Sequence, residues 1–336
     1  MTETRWVDPP DAPALAGLRF RRYADESDIA GMAEVIRAAN AANGESEYIS
    51  DDYLRSQVVN YSHVPPQEAR LLALVDGRIV ACSSFEYADT TEGRRDYRSS
   101  GQVHPEWRRR GIGAAMTAWN EARLLELATE QRHPGGAALT TWIEEADVGA
   151  TVTARARGYR RTRTGFHMVR PGMERIETAP LPDGLEVRPV ARDDLPRVWD
   201  AMIEAFRDHH GSHDGSDAAF RRWSEDPVLE TDLLVIAFDG DAVAGGVQGW
   251  IDSEENEANG YLRGWVDPVF TRRPWRRRGL ARALMGRTLV LLRDHGMTSA
   301  QLGVDSENPH QALTLYEDQR FETVRTAAEW TRAITP

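Results

Sequence analysis

Hydrophobic and polar positions along this chain fall into two rounds of the same order. Leu18-Arg19-Phe20-Arg21 alternates apolar and basic residues as a half-buried strand does, and Leu185-Glu186-Val187-Arg188 repeats the alternation. An acidic cluster and a segment of helical period follow each. Next come paired apolar runs that turn on Asp-Gly, Leu72 to Ala81 (LALVDGRIVA) and Leu234 to Ala244 (LVIAFDGDAVA), which predict β-hairpins. A β-branched run then enters an arginine- and glycine-rich loop that opens an apolar-periodic helix. In the first round this is Gln102-Val103 before Trp107-Arg108-Arg109-Arg110-Gly111-Ile112-Gly113-Ala114. In the second it is Val266 to Thr271 before Trp275-Arg276-Arg277-Arg278-Gly279-Leu280-Ala281-Arg282. Near the end of each round Gly158-Tyr159 matches Arg320-Phe321.

Landmarks that recur in one order mark a duplicated unit rather than a chance motif. The expected domains are residues 17–170 and 184–334, joined by a proline- and glycine-broken linker from Pro171 to Gly184. A chain of 336 residues suits two domains of about 150 residues each. The polar, proline-rich first 16 residues form a leader that packs on a domain or stays disordered. No apolar stretch nears the roughly 20 residues of a membrane span, so the expectation is a cytoplasmic protein with no membrane partner. The net charge of −12 argues against nucleic acid and is compatible with a cationic small substrate. All 41 basic residues are arginine, as a high-GC genome would encode. Cys82, the lone cysteine, lies in a strand-like run and reads as a small buried hydrophobe.

The chemistry sits at the repeated loop. Glycines allow close approach of a ligand, and free amides and the helix dipole at a helix start favour anions. Such a loop could cradle a dinucleotide, a nucleoside triphosphate or coenzyme A. Neither the Gly-x-Gly-x-x-Gly of a dinucleotide fold near the chain start nor a Gly-Lys-Ser/Thr loop is present, and each loop follows an antiparallel hairpin. Coenzyme A is the ligand left, and the short arginine runs suit its phosphates better than they suit nucleic acid.

On these loops, and on Asn308-Pro309, Ala312, Leu315-Tyr316-Glu317 and Phe321 after the second one, both halves resemble the GNAT acetyltransferase superfamily, and the whole resembles its tandem members. The resemblance implies an α/β fold: two tandem domains, each a mixed, mostly antiparallel sheet flanked by helices and splayed near the phosphate loop. It also implies acetyl-CoA as cofactor and N-acetyl transfer to a small amine by direct attack in a ternary complex. Its cofactor-binding positions are Val103, Arg108, Arg109, Arg110, Gly111, Ile112, Gly113 and Ala114 in the first half. In the second half they are Val269 and Thr271 through backbone, Arg276, Arg277, Arg278, Gly279, Leu280, Ala281 and Arg282, with Asn308 on the pantetheine arm. Tyr316 takes the role of protonating the leaving thiolate, since a phenol is well matched to a thiol.

Counting back from Gly158-Tyr159, the first half has Ala154 where Tyr316 would stand and Ala146 where Asn308 would stand. The expectation is therefore a first domain that binds acetyl-CoA in a structural or regulatory role and a second that performs the transfer. The base is left between Asp267, beside Pro268 on the strand through Trp265 to Thr271, and Glu257 in the acidic stretch from Asp252, which otherwise reads as a solvated loop. The cluster Asp208 to Asp214, with His209, His210 and His213, reads as a polar loop bordering the acceptor cleft rather than a metal site. His104 reads as strand-end packing. A different acyl donor such as succinyl-CoA, or a non-catalytic CoA-binding scaffold, are the alternatives. A monomer and a homodimer, and several amine classes including those of secondary metabolism, remain open.

Overall fold

The computed structural model describes residues 5–60, 63–207, 215–306 and 312–334. In chain order the strands are β1 (Trp6–Val7), β2 (Leu18–Arg22), β3 (Arg70–Val75), β4 (Arg78–Asp89), β5 (Arg95–Val103), β6 (Ala137–Glu144), β7 (Arg160–Arg170), β8 (Glu186–Arg188), β9 (Leu234–Asp239), β10 (Ala242–Trp250), β11 (Arg263–Thr271), β12 (Ser299–Asp305) and β13 (Glu322–Ile334). The helices are α1 (Ile29–Asn43), α2 (Asp51–Asn60), α3 (Pro66–Ala69), α4 (Ile112–Gln131), α5 (Val148–Ala156), α6 (Leu195–Phe206), α7 (Asp217–Ser224), α8 (Ser253–Asn259), α9 (Leu280–Asp294) and α10 (Ala312–Asp318).

Two compact units divide the chain at places the sequence reading did not expect. One runs to Arg163 and takes back the chain from Ala327 onward; the other is Thr164–Thr326. The expected boundaries, 17–170 and 184–334, keep β7 whole in the first domain and β13 whole in the second, whereas the observed divisions fall within both strands. In the first unit, antiparallel pairs run from β1 through β5, β6 joins β5 in parallel, and residues 327–334 of β13 pair antiparallel with β6. In the second, β8 through β11 are antiparallel, β12 joins β11 in parallel, and residues 165–170 of β7 pair antiparallel with β12. Periodicity identifies β7 and β13 as strands but carries nothing about which sheet each will join.

Helices cover both faces of each sheet. In the first unit α4 covers one face with Ile112, Met116 and Trp119, while α1 and α2 cover the other with Ile29, Met32, Leu54 and Val58. In the second, Leu280, Leu284 and Leu289 of α9 and Tyr316 of α10 form one core, and Val198, Ala201 and Met202 of α6 the other. Residues 171–184 hold no helix or strand, yet Met173, Ile176 and Leu181 pack into the α9 core, and buried Arg170 donates to the carbonyls of Gln319 and Glu174. The linker is therefore strapped to the second unit. The leader packs on the first: β1 extends its sheet, Val7 and Leu15 reach its core, and Pro13 lies against Gly111.

The hairpins differ in detail. Asp76 and Gly77 turn the first with φ of 48° and 87°, the pair of positive values a type I′ turn needs. The second turns one residue later, on Gly240-Asp241.

Candidate active site and cofactor loops

In each unit two parallel neighbours part company. β5 and β6 pair only from Arg95↔Ala137 to Arg98↔Thr140, and β11 and β12 only from Arg263↔Ser299 to Trp265↔Gln301. Beyond those points each pair opens a wedge with unused backbone groups along its edges. In the first unit the wedge holds a cavity of about 560 Å³ lined by Ser99 to Val103 on one arm and Thr141 to Glu144 on the other. That volume lies within the range of small-molecule sites.

Both wedges end at the repeated loop, and the two loops are built alike. Arg109 and Arg277 both sit at φ 60°, and Gly111 and Gly279 at 85° and 83°, a conformation open to glycine at little cost. The first amides with a partner inside the following helix belong to Ala115 and Ala283, which donate to the Gly111 and Gly279 carbonyls. Neither helix has a side-chain cap, so the amides of Ile112, Gly113 and Ala114, and of Leu280, Ala281 and Arg282, have no partner within the helix. They form the anion cradle, while the side chains of Ile112 and Leu280 anchor it in the core. A Cβ on Gly279 would meet nothing within 4 Å, so the space in front of the loop is open.

The arginines divide. Arg108 Nε and Arg276 Nε donate to the carbonyls of Val103 (3.2 Å) and Thr271 (2.9 Å), and their Nη2 atoms to Ala39 (3.3 Å) and Ala205 (3.0 Å). These first arginines tie the loop to strand and helix. Arg110 stacks on Trp107 at 4.6 Å, Arg282 pairs with Asp318, and Arg278 makes a long exposed contact to the Asp183 carbonyl. Thr271 Oγ1 is buried without a hydrogen-bond partner at the mouth of the second wedge, which fits a ligand donor or acceptor there. Loop, wedge and orphaned hydroxyl together fit the diphosphate and amide-bearing arm of coenzyme A.

The second wedge carries groups the first lacks. Across β10 and β11, Gly249 faces Val266 and Val247 faces Val269, so Gln248 stands alone opposite Asp267 and Pro268. This is a β-bulge, the device that re-aims a side chain beside a site and accommodates a strand proline. Asp267 is thus neither a turn former nor a regular strand residue. Water reaches its side chain, yet protein crowds it all round, and that desolvation pushes the carboxyl up to about 6. Tyr316 lies in the α9 core; burial first, and the nearby Asp267 carboxylate second, raise its phenol well above the usual range. The two predicted groups are therefore within electrostatic reach of one another.

In the first unit the ladder of β4 and β5 runs unbroken, with Ser84 opposite Ser100 where Gln248 faces the bulge. The pairing of Ala154 with Tyr316 has a backbone counterpart: Tyr159 donates to the Ala154 carbonyl at 3.0 Å and Phe321 to the Tyr316 carbonyl at 2.9 Å. Ala154 lines the first cavity, and Ala146 lies in its wall.

The acidic stretch is a helix, α8, capped by Asp252, and Glu257 is on its exposed side. The buried carboxylate is Glu255, whose amide donates to Asp252 Oδ1; Asp252 with a glutamate three residues on was a readable helix-start signal. Glu255 accepts from Tyr261 Oη (2.5 Å), Trp265 Nε1 (3.1 Å) and Gln301 Nε2 (2.6 Å). Sequence reasoning missed this network and His167, which borders it. Asn308 and the cluster Asp208 to Asp214 lie outside the described residues. Cys82 is buried, and burial pushes its thiol up to about 12, where it is inert. His104 closes the strand end, its ring accepting from the Glu106 amide.

A splayed mixed sheet with an anion cradle at the helix that follows it defines the class of fold: the GNAT type, present twice in one chain. Residues 195–321 match the acetyltransferase (GNAT) family, and the chain is an N-acetyltransferase that uses acetyl-CoA. It is similar to the mycothiol acetyltransferases of Salinispora arenicola (28% identical over 309 residues, 88% of this chain and 91% of that one) and Salinispora tropica (28% over 311 residues, 88% and 90%). In fold it matches a GCN5-related N-acetyltransferase from Sphaerobacter thermophilus (TM-score 0.70, 21% identity, 98% of each chain). It also matches a tandem GNAT protein from the clavulanic acid biosynthesis pathway (TM-score 0.66, 17% identity, 95% of this chain and 99% of that one). Among the described residues no helix is long and apolar enough to cross a membrane.

Proposed function

We propose that the second domain transfers acetyl from acetyl-CoA to the primary amine of a small, mycothiol-related metabolite, and that the first domain holds acetyl-CoA without turning it over. One observation supports this reading most: the bulged Asp267 is near enough to raise the phenol of buried Tyr316 electrostatically, whereas the first unit has Ser100 and Ala154 at the matching positions.

Bound acetyl-CoA supplies the acetyl group as a thioester. The helix-start amides of Leu280, Ala281 and Arg282, with Arg277 and Arg278, hold its diphosphate. The backbone of Val269 and Thr271 and the side chain of Asn308 hold the pantetheine arm. In the first domain Val103, Arg109, Arg110 and the amides of Ile112, Gly113 and Ala114 do the same. Arg108 and Arg276 support the loops from behind, through the backbone carbonyls they bind. Asp267, ionised above about pH 6, removes a proton from the attacking amine. Tyr316 stays a neutral phenol at any working pH and gives its proton to the departing sulfur. The similarity to mycothiol acetyltransferases favours the deacetylated form of mycothiol as acceptor, in a soluble, cytoplasmic setting.

The test is acetyl transfer to desacetylmycothiol by the wild type, Asp267→Asn and Tyr316→Phe. General acid and base groups contribute about 100-fold or more each, so both variants should lose at least that much kcat while still binding acetyl-CoA. Full activity in both would remove the assignment, and no transfer by the wild type would remove the acceptor.

A further inference from the structure

His167 stands on β7, the strand that the first half of the sequence contributes to the second unit, beside Gly303 of β12. Its neighbours decide its chemistry. Glu255 already accepts from Trp265, which can only donate, and takes the Gln301 amide nitrogen at 2.6 Å, so Gln301 Oε1 must point the other way. That oxygen receives Arg263 Nη1 at 3.4 Å and lies 3.2 Å from His167 Nε2. Two acceptors cannot face each other, so Nε2 carries the proton and Nδ1 keeps a bare lone pair. His167 is half-buried, and among the described residues its Nδ1 makes no hydrogen bond.

The placement is as telling as the tautomer. The ring lies edge-on to Trp265 with centroids 5.5 Å apart, and Trp265↔Gln301 is the last pair before β11 and β12 part. Trp265 is two residues from Asp267. Gly303 presents no side chain between His167 and the opening strands, and a Cβ there would meet nothing within 4 Å. Ala300 and Leu302 of β12 face the α9 core that holds Tyr316, so Gln301 and His167 lie on the opposite face of the sheet. A bond-breaking group on one face and a bare lone pair on the other bracket the wedge.

The geometry points to His167 as the residue that receives the acceptor: Nδ1 accepts a hydrogen bond from the primary amine and turns the nitrogen lone pair toward the thioester, with Gln301 and Glu255 as positioning residues. This rests on the reading of the second domain as the place of transfer. The N–C bond forms and the C–S bond breaks. One amine proton passes to Asp267, the thiolate takes the phenolic proton of Tyr316, and the proton bridged to Nδ1 stays on the product amide. Burial, and then the Arg325 charge, push the imidazole down to about 4, so it is neutral at physiological pH and can accept.

The experiment compares His167→Phe, which keeps the ring against Trp265 but has no nitrogen, with His167→Asn, whose Oδ1 stands where Nδ1 does. With acetyl-CoA and desacetylmycothiol, His167→Phe should lower kcat/KM for the amine about ten-fold, the size of one lost hydrogen bond, with KM for acetyl-CoA unchanged. His167→Asn should recover most of it. An unchanged amine KM in His167→Phe, equal rises in both KM values, or no recovery in His167→Asn would overturn the proposal. Nitrogen-15 NMR of the wild type at pH 7.5 needs no acceptor: a protonated Nε2 with bare Nδ1 supports the assignment, and the reverse tautomer overturns it. If the wild type transfers nothing to desacetylmycothiol, the acceptor reading fails and the tautomer alone decides His167.

Discussion

At the scale of single residues, the two titrating groups of the second domain owe their properties to where the backbone puts them. The bulge sets Asp267 off the regular ladder, and the protein crowded around it raises its carboxyl to about 6. For a base this sets the acidic limb: kcat/KM for the amine should fall about ten-fold per pH unit below pH 6, and Asp267→Asn should abolish that limb. A limb unchanged in Asp267→Asn would assign it to another group. His167 bears on stability. Its folded value near 4 lies below the ordinary 6.5, so between those values the unfolded chain binds the extra proton and stability falls with falling pH. Urea unfolding at pH 7.5 and pH 5 should show a larger loss for the wild type than for His167→Phe. The residues themselves were only partly legible. Spacing from Asn308 and Phe321 singled out Tyr316 as the proposed acid, and Asp267 was one of two candidates for the base. Glu257 stood for Glu255 because an acidic run does not reveal which carboxylate a helix will turn inward.

At the scale of elements, the phosphate loop was the most legible part, because glycine and arginine in a fixed pattern between a strand and a helix have few structural uses. The predicted helix from Arg276 nonetheless begins at Leu280: Arg277 and Gly279 both take positive φ, and no α-helix passes through such residues. Gly279→Ala would place a Cβ at φ 83°, at a cost of about 1 kcal/mol, and would shift the amides of the cradle. Reduced acetyl-CoA affinity at the second site with a small loss of stability is the expected result, measured by calorimetry and thermal melting. The bulge was not legible, since a proline in an apolar run is read only as a weak strand signal; the pairing across it belongs to β10.

At the scale of the whole molecule, the repeat gave two domains, but their closing strands come from unexpected parts of the chain. Strand pairing is set by contacts remote in sequence, and β13 offers the first unit a buried Trp330 and an Arg332 that donates to the Arg157 carbonyl at 2.7 Å and pairs with buried Glu121 at 3.1 Å. Ending the chain before Ala327 should therefore unfold or loosen the first unit, with loss of amide-exchange protection along β6; retained protection there would contradict the pairing. His167 escaped the sequence reading for the same reason, because a strand from one half of the repeat was not sought in the site of the other. The central claim is that two cofactor sites divide binding from chemistry. Native mass spectrometry and acetyl transfer, run on the same samples of wild type, Arg110→Glu and Arg278→Glu, test it most directly. Two bound acetyl-CoA molecules are expected in the wild type, with transfer surviving the loss of one in Arg110→Glu and disappearing with the loss of one in Arg278→Glu. Transfer that disappears in Arg110→Glu and persists in Arg278→Glu would contradict it.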